Sequence, residues 1–237
     1  FSINSHRGCY GECNFCAIAV HQGRTITSRS HESILNEAKQ FVKDENFKGV
    51  ISDVGGPTAN MYGFECAKKL KSGACKDKRC IFPETCKTLK PNHSPQINLL
   101  QKLEKLEGVN KVFVASGIRT DLVVDDLKFG KNYLKRVVGK HTSGQMKIAP
   151  EHTDLKILNI MGKQGTKSLD KFHDMFYAHS HNVGKQQYLT YYFIAAHPGC
   201  KDDHMKQLQD YASQKLRILP EQVQIFTPTP STYSTLM

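Results

Sequence analysis

Three cysteines near the start of the chain have a spacing that suits metal chemistry. Cys9, Cys13 and Cys16 follow the pattern C-x3-C-x2-C, and the aromatic Phe15 directly precedes the last of them. Three thiolates on one short loop can ligate three corners of an iron–sulfur cube. No further cysteine follows until Cys66, so one iron would stay open to a small molecule.

Other cysteine chemistries match this spacing less well. Structural zinc sites pair cysteines as C-x2-C with a second pair or histidines downstream, and here only Cys13 and Cys16 have that separation. The bacterial ferredoxin run does not match, whereas the plant-type run, C-x4-C-x2-C, differs by one residue. A disulfide framework suits small secreted chains, and this chain has 237 residues and no visible signal peptide.

The elements that must position these cysteines are visible as apolar runs alternating with amphipathic stretches. Predicted strands cover residues 1–5, 49–54, 111–115, 145–148, 187–194 and 222–226. Predicted helices cover residues 32–45, 96–106, 132–138, 155–161, 169–181 and 203–216, with Ser30 as the N-cap of the first. Strands separated by helical crossovers favour parallel βα units. The chain is short for an eight-stranded barrel but fits six units.

In such barrels, functional residues collect at the carboxyl ends of the strands. The segment after every predicted strand carries small, polar or ionisable residues. These segments are the cysteine loop and residues 52–60, 116–121, 149–153, 195–200 and 227–232. This regularity predicts a ligand site at that end of the strands.

Taken together, the motifs resemble the YgiQ-type branch of radical S-adenosylmethionine (SAM) proteins, and the match covers essentially the whole chain. Residues 53–62, 147–153 and 195–199 are the most specific stretches after the cysteine loop. The resemblance implies an α/β fold, namely a partial (β/α)6 TIM-like barrel of the radical SAM type with a cysteine-containing insertion after the second strand. It also implies that the three cysteines hold a [4Fe-4S] cluster whose open iron chelates SAM.

The implied reaction is driven by a single electron. The reduced cluster would pass that electron to SAM, and the carbon–sulfur bond would break to give methionine and a 5′-deoxyadenosyl radical. The radical would abstract hydrogen from a substrate that the sequence does not identify. The cofactor carries this chemistry, while the protein orients the reactants and excludes competing reactions.

The resemblance further implies a set of SAM-binding residues. Phe15 would pack beside the adenine, with an ordinary core aromatic as the alternative. Gly55 and Gly56 would meet the methionine amino group, or else form a tight turn, and Pro57 stands where the family usually has an acidic residue. The other expected contacts are Ser116, Arg119, Lys147 and Glu151.

Among these contacts, the two ionisable groups have the clearest chemistry. Arg119 can grip the SAM carboxylate or a substrate anion with two parallel hydrogen bonds, or it can form a surface ion pair with Asp121 or Asp125. Glu151 would accept hydrogen bonds from the ribose hydroxyls. The neighbouring His152 is expected to face solvent, and His197 either touches substrate or is structural.

A second group of four cysteines lies in a basic, turn-rich insertion over residues 66–95. They are Cys66, Cys75, Cys80 and Cys86. The insertion has too few apolar residues to pack alone, so a metal staple of zinc or a second iron–sulfur cluster is expected. Free thiols in a loop are the alternative. Cys200 lies outside both groups and is expected to be a packing residue, and residues 162–168 fail the spacing of a phosphate loop.

Charge and composition bound the partners. The chain has 33 Lys and Arg against 22 Asp and Glu, a net charge of +11 that permits an RNA or nucleotide-bearing substrate. The lysines are scattered, which favours solvated helix faces instead. Eight cysteines without a disulfide pattern suit a reducing cytoplasm, and no apolar run reaches the length of a membrane span.

Three functional hypotheses therefore stand beside one another. The first is a radical SAM enzyme that uses SAM and a reductant protein as partners. The second is an iron–sulfur electron-transfer or metal-stabilised domain that does not cleave SAM, although such a domain has no use for polar strand ends. The third is a radical SAM enzyme that modifies RNA. Because the chain begins with Phe1, residues 1–237 are expected to be one core domain cut from a longer polypeptide.

Overall fold

The structure is a computed structural model that describes residues 1–237. The strands are β1 (Ser2–Asn4), β2 (His6–Arg7), β3 (Thr27–Ser28), β4 (Val50–Ile51), β5 (Asp53–Gly55), β6 (Lys111–Val112), β7 (Gln145–Glu151), β8 (Tyr188–Ala195) and β9 (Gln222–Ile225). The α-helices are α1 (Ile18–Gln22), α2 (His31–Lys43), α3 (Ala67–Ser72), α4 (Ser94–Leu103), α5 (Thr120–Asp125), α6 (Gly130–Arg136), α7 (Leu155–Met161), α8 (Lys167–Asn182), α9 (Asp202–Asp210) and α10 (Tyr233–Leu236).

Parallel main-chain pairing links the six predicted strand regions in chain order, and the link between the third and the fourth is made just beyond the third, at Ile118. β1 pairs with β5, β4 pairs with β6, and the 2.9 Å bond from Val54 N–H to the Phe113 carbonyl continues that contact. A single bridge between Ile118 and Ile148 connects the third region to β7, which pairs with β8, and β8 with β9. The ladders are short and no pairing joins β9 to β1. The α/β class is confirmed, and the strands do not form a closed barrel.

One antiparallel ladder frames the cysteine loop. β2 pairs with β3, with His6 opposite Ser28. The chain between these two strands carries Cys9, Cys13, Cys16 and α1. The ladder therefore fixes both ends of the loop directly beyond the carboxyl end of β1.

The core lies between the strands and the outer helices. It is a cluster of 29 buried residues, and its largest fully buried side chains include Phe172 and Phe176 of α8 and Phe193 of β8. Along β7, Met146 and Ile148 point into this core, while Lys147 lies on the opposite face and is exposed. On β7 the core therefore covers one face of the strand and leaves the face of Lys147 open, whereas on β8 the opposite face also packs, with Ile194 against α7.

Predicted and observed elements differ mainly at their ends. Ser30 caps α2 as expected, because its hydroxyl accepts a 3.1 Å hydrogen bond from the Ser33 amide. The predicted helix 203–216 is α-helical only as far as Asp210 and then widens into a π-turn over Tyr211–Lys215. The six-residue helix α5 was not predicted, since it is too short to show a helical period. None of the helices combines the length and apolarity needed to cross a lipid bilayer.

Candidate active site

The cysteine loop is held against the end of α7. The Asn14 amide donates to the Met161 carbonyl at 2.8 Å, and its side-chain nitrogen donates to the Ile160 carbonyl at 2.6 Å. These bonds satisfy two of the carbonyls that a helix leaves free at its C-terminus. Cys9 is anchored separately, through a 3.1 Å bond from its amide to the Gly23 carbonyl.

The thiols of Cys9 and Cys13 face a space that only glycine leaves open. A Cβ atom on Gly11 would lie 3.3 Å from the Cys9 sulfur, 3.4 Å from the Cys13 sulfur and 3.2 Å from Arg119 Nη1. Any larger side chain would therefore intrude between the two sulfurs. The Gly11 amide also donates to the Cys9 sulfur at 3.3 Å, a contact that favours the thiolate form of the cysteine.

Burial keeps two of these cysteines protonated while no metal competes for the sulfur. Burial raises the pKa of Cys9, and the nearby Cys13 raises it further. Burial also raises the pKa of Cys16 to about 11. Metal ligation requires the thiolate, so metal binding at this loop would release protons.

The three cysteines open onto a cavity of about 210 Å³ at the carboxyl ends of the strands. Its wall combines the cysteine loop with residues that follow the second, third and fourth strand regions. The ionisable side chains in that wall, besides the cysteines, are Arg119, Asp121, Glu151, His152 and Lys163. Partly apolar walls with a few converging polar groups are typical of ligand sites.

Arg119 and Asp121 form a buried ion pair in this wall. Arg119 Nε lies 3.1 and 3.2 Å from the two carboxylate oxygens, and Nη2 also contacts the carboxylate. Burial alone would lower the pKa of Arg119, but the Asp121 carboxylate outweighs it and raises that pKa. The arginine in turn outweighs burial and lowers the pKa of Asp121. The pair forms as one of the sequence hypotheses proposed, although it is buried rather than at the surface.

The third nitrogen of the Arg119 guanidinium reaches the cysteine loop. Nη1 lies 3.7 Å from the Cys13 sulfur. With Nε and Nη2 occupied by Asp121, the cation is oriented so that its remaining donor faces the thiol. A fixed positive charge therefore lies beside the cysteine loop.

Glu151 presents a carboxylate oxygen that has no partner. Its backbone φ is +69°, and a register irregularity between Ile148 and Glu151 re-aims the end of β7. The residue is 7% exposed and its Oε2 atom is buried without a hydrogen bond. Backbone strain and an unsatisfied buried acceptor are both costly, and they recur where a site is arranged to receive a ligand donor.

Lys163 is a cavity residue that the sequence analysis did not single out. Its Nζ lies 3.6 Å from Glu151 Oε1 and also donates to the Ala149 carbonyl. It belongs to residues 162–168, which fail as a phosphate loop but contribute Lys163, Gln164, Gly165, Thr166 and Ser168 to the wall. A lysine after a helix gives no spacing signal, so only the fold could bring it to Glu151.

The predicted SAM-binding residues divide into two groups. Phe15, Arg119 and Glu151 line the cavity. The other four lie outside its wall: Gly55, Gly56, Ser116 and Lys147.

These four residues have local packing contacts instead. A Cβ on Gly55 would collide with Ser116 Oγ, and one on Gly56 would lie 2.6 Å from the His6 ring. The Ser116 amide donates to Asp53 Oδ1 at 3.1 Å, which ties the third strand region to β5. The side chain of Lys147 is exposed on the open face of β7.

Of the two histidines near the site, His152 is more enclosed than expected and His197 lies outside the cavity wall. His152 was expected to face solvent but is fully buried, and its Nδ1 accepts a 3.0 Å hydrogen bond from the Asp154 amide. Burial lowers the pKa of His152 to about 4. His197 is outside the cavity wall, with Nε2 2.7 Å from Ser234 Oγ and its ring 6.3 Å from that of Phe15. This arrangement corresponds to the structural role.

The donor set fits an iron–sulfur cluster better than a single ion. No three His, Cys, Asp or Glu side chains converge closely enough to hold one metal ion. Structural zinc sites have four protein ligands around one ion, whereas this loop offers three thiolates. A four-iron cluster is wider, and three thiols lining one cavity with an arginine beside them suit it.

Glu151 should make stability depend on pH. Burial raises its pKa from 4.5, and Lys163 and Arg119 only partly oppose the shift. The folded protein thus binds this proton more tightly than the unfolded chain. The free energy of unfolding should therefore fall as pH rises from 4.5 through the raised pKa.

A neutral variant isolates this effect. Glu151→Gln cannot ionise, so we expect wild type to lose stability relative to the variant as pH rises over that window. Urea denaturation at several pH values measures the difference. Glu221→Gln, at an exposed position, is the matched control. If the difference in the free energy of unfolding between wild type and Glu151→Gln does not vary with pH, the pKa of Glu151 is not raised by folding.

The chain is similar in sequence to curated proteins that are more than twice its length. No family model matches it. It is 62% identical over 237 residues to a UPF0313 protein of Fusobacterium nucleatum subsp. nucleatum, covering 100% of this chain and 42% of that protein. It is 48% identical to a UPF0313 protein of Methanocella arvoryzae, covering 39% of that protein. The chain thus spans less than half the length of these curated relatives.

A solved structure shows the fold. The chain superposes with a TM-score of 0.56 on TsrM, a radical S-adenosylmethionine methyltransferase from Kitasatospora setae solved with tryptophan and the SAM analogue aza-SAM. Sequence identity is 10%, and the match covers 99% of this chain and 37% of TsrM. The chain therefore shares the fold of the matched part of TsrM.

Proposed function

We propose that this chain is the core of a radical SAM enzyme, in which Cys9, Cys13 and Cys16 hold a [4Fe-4S] cluster next to bound SAM. The observation that carries the proposal is the cavity, where the three thiols meet Arg119 and the unpartnered oxygen of Glu151. When bound, the cluster supplies the electron that splits SAM into methionine and a 5′-deoxyadenosyl radical.

The protein's own part in this proposal is to bind and orient. Arg119 is locked by Asp121, so its charge stays fixed beside the cysteine loop without rearrangement during the reaction. Glu151 Oε2 accepts from a donor on SAM, for which the ribose hydroxyls are suited, and Lys163 holds the other carboxylate oxygen. Phe15 borders the cavity where the adenine would pack.

The four predicted SAM-binding residues outside the cavity wall have indirect roles in this proposal. Gly55, Gly56 and Ser116 lie outside the cavity wall, and the Gly55 carbonyl and the Ser116 amide already bond to Ser5 and Asp53. Their part in the proposal is to shape the backbone behind the cavity. Lys147 lies on the open face of β7, where it can meet a substrate or a part of SAM that extends beyond the cavity. The YgiQ-type assignment rests on the sequence resemblance alone.

The alternative hypotheses differ in their use of the cavity. An electron-transfer domain needs neither a buried arginine nor a strained glutamate in a ligand-sized space. An RNA substrate would add to the radical SAM proposal rather than replace it, and the net charge of +11 is its support. A reductant protein and a cytoplasmic location complete the proposal for the whole protein.

SAM binding to the anaerobically reconstituted protein tests the proposal. We expect SAM to change the electron paramagnetic resonance spectrum of the reduced cluster, because SAM would ligate its open iron. Glu151→Gln replaces the carboxylate acceptor by a neutral amide oxygen and should weaken SAM binding by about 10-fold, since a hydrogen bond contributes about 1.5–3 kcal/mol when made to a charged group and about 0.5–1.5 kcal/mol when made to a neutral one. Glu221→Gln should bind SAM like wild type. A spectrum unchanged by saturating SAM would favour the electron-transfer hypothesis.

A further inference from the structure

Four cysteines outside the candidate active site lie in the Cys-rich insertion, residues 66–95. All four are free thiols: Cys66, Cys75, Cys80 and Cys86. After α3 the chain forms no helix or strand from residue 73 to residue 93. Few of its side chains are apolar and buried, so hydrophobic packing alone gives this segment little to order it.

Three of these cysteines lie near one another, and two of their sulfurs share a contact with Thr88. Thr88 Oγ1 is 3.5 Å from the Cys66 sulfur and 3.2 Å from the Cys86 sulfur. The Cys86 amide donates to the Cys80 carbonyl at 2.8 Å, which closes the turn between these two cysteines. The Cys80 sulfur lies 3.6 Å from Lys69 Nζ. Cys66, Cys80 and Cys86 also pack on the same small apolar cluster.

Hydrogen bonds through Arg24 and Lys69 connect the fourth cysteine, Cys75, to the other three. Arg24 Nη2 donates to the Cys75 carbonyl at 2.5 Å, and the Arg24 carbonyl accepts a hydrogen bond from Lys69 Nζ. Lys69 is 4% exposed and reaches the Cys80 sulfur. The chain of contacts thus runs from Cys75 through Arg24 and Lys69 to Cys80.

The local charge suits an anionic centre. Residues 66–90 contain eight basic and two acidic side chains. Lys69 is buried beside Cys80, with Glu65 Oε1 at 3.1 Å as its carboxylate partner. Four thiolates around a divalent metal carry two net negative charges, which a surrounding excess of Lys and Arg stabilises.

We propose that Cys66, Cys75, Cys80 and Cys86 bind a metal centre through four thiolates, separate from the site of Cys9, Cys13 and Cys16. Thiolates select zinc or an iron–sulfur cluster over hard cations. The four sulfurs do not surround one point as they stand, so metal binding must draw them together as the insertion orders around the metal. Metal binding and ordering of the insertion are then one process.

Ordering the insertion would also brace the candidate active site. Arg79 Nη2 donates to Asn14 Oδ1 of the cysteine loop at 2.6 Å. Gln164 of the cavity wall donates to the Ile81 carbonyl at 3.0 Å and to Thr85 Oγ1 at 3.2 Å. The second centre therefore has a structural role, and its loss would weaken the contacts that hold the cysteine loop and Gln164 in the cavity wall.

Metal analysis of a chain that lacks the first three cysteines tests this proposal. The triple variant Cys9→Ala, Cys13→Ala, Cys16→Ala is loaded in one arm with zinc and in the other with iron and sulfide, then desalted and analysed for metal. We expect stoichiometric retention in one arm, about one zinc per chain or one cluster per chain. That arm identifies the metal. Because the variant has no active-site cysteines, the result is independent of the proposed SAM chemistry.

Two further measurements keep the test decisive. Adding Cys80→Ser and Cys86→Ser to the triple variant should abolish retention, whereas adding Cys200→Ser should not change it. Trypsin should cut the metal-free insertion at its lysines and arginines, and loading should protect it, which reports on the site even if the serine variants fold poorly. Circular dichroism first shows whether the triple variant is folded. A folded triple variant that retains neither zinc nor iron would overturn the proposal.

Discussion

Replacing Cys13 with alanine should reduce SAM cleavage to the level of a protein-free control. Cys13 is the middle ligand of the proposed cluster, and its sulfur faces both Gly11 and Arg119 Nη1. With one thiolate missing, the loop offers only two ligands for a cluster that needs three. We expect the same loss for Cys9→Ala and Cys16→Ala, measured as 5′-deoxyadenosine formed after anaerobic reconstitution.

A cysteine outside the loop provides the matched control. Cys200 is a free thiol on the loop after β8, with its sulfur 3.7 Å from His152 Nε2. Cys200→Ala should retain wild-type product formation, because no proposed ligand is lost. Product formation that survives any one of the three loop substitutions would contradict the assignment of the cluster ligands.

Replacing Asp121 with alanine should destabilise the fold by about 3–5 kcal/mol, the usual cost of leaving one charge of a buried pair without its partner. The Arg119 and Asp121 side chains are 13% and 5% exposed, so water cannot replace the lost carboxylate. The Leu122 amide would also lose its 2.8 Å bond to Asp121 Oδ1. Urea denaturation measures the change in the free energy of unfolding.

A surface pair and a double variant complete the Asp121 test. Asp174 is 79% exposed and paired with His173. Asp174→Ala should therefore lower the free energy of unfolding by less than about 1 kcal/mol. Arg119→Met combined with Asp121→Leu should recover much of the lost stability, because no buried charge remains unpaired. If Asp121→Ala lowers the free energy of unfolding by no more than Asp174→Ala does, the Arg119–Asp121 pair does not stabilise the fold.

Much of the fold could be predicted because its signals are local. The apolar runs of β7 and β8 and the helical period of α7 are readable from neighbouring residues, and α7 begins and ends at the predicted residues. Parallel order followed from the alternation of strands and helices. Helix ends were less predictable, since the helical period continues through Tyr211–Lys215 and gives no sign of the π-turn there.

The candidate site was predictable only in part. The spacing of the three cysteines and the position of Arg119 and Glu151 after strands pointed to the cavity. Lys163 has no such signal, because its contact with Glu151 depends on where α7 ends. Whether the Arg119–Asp121 pair is buried or exposed depends on the packing of other segments around it, which local sequence does not encode.

The most direct test of the central claim is SAM cleavage by the wild-type chain. The protein is reconstituted anaerobically with iron and sulfide and mixed with SAM and dithionite, and the products are separated by chromatography. The proposed function predicts 5′-deoxyadenosine and methionine in amounts that depend on dithionite. A chain that assembles the cluster yet leaves SAM intact, with a cluster spectrum that SAM does not change, would contradict it.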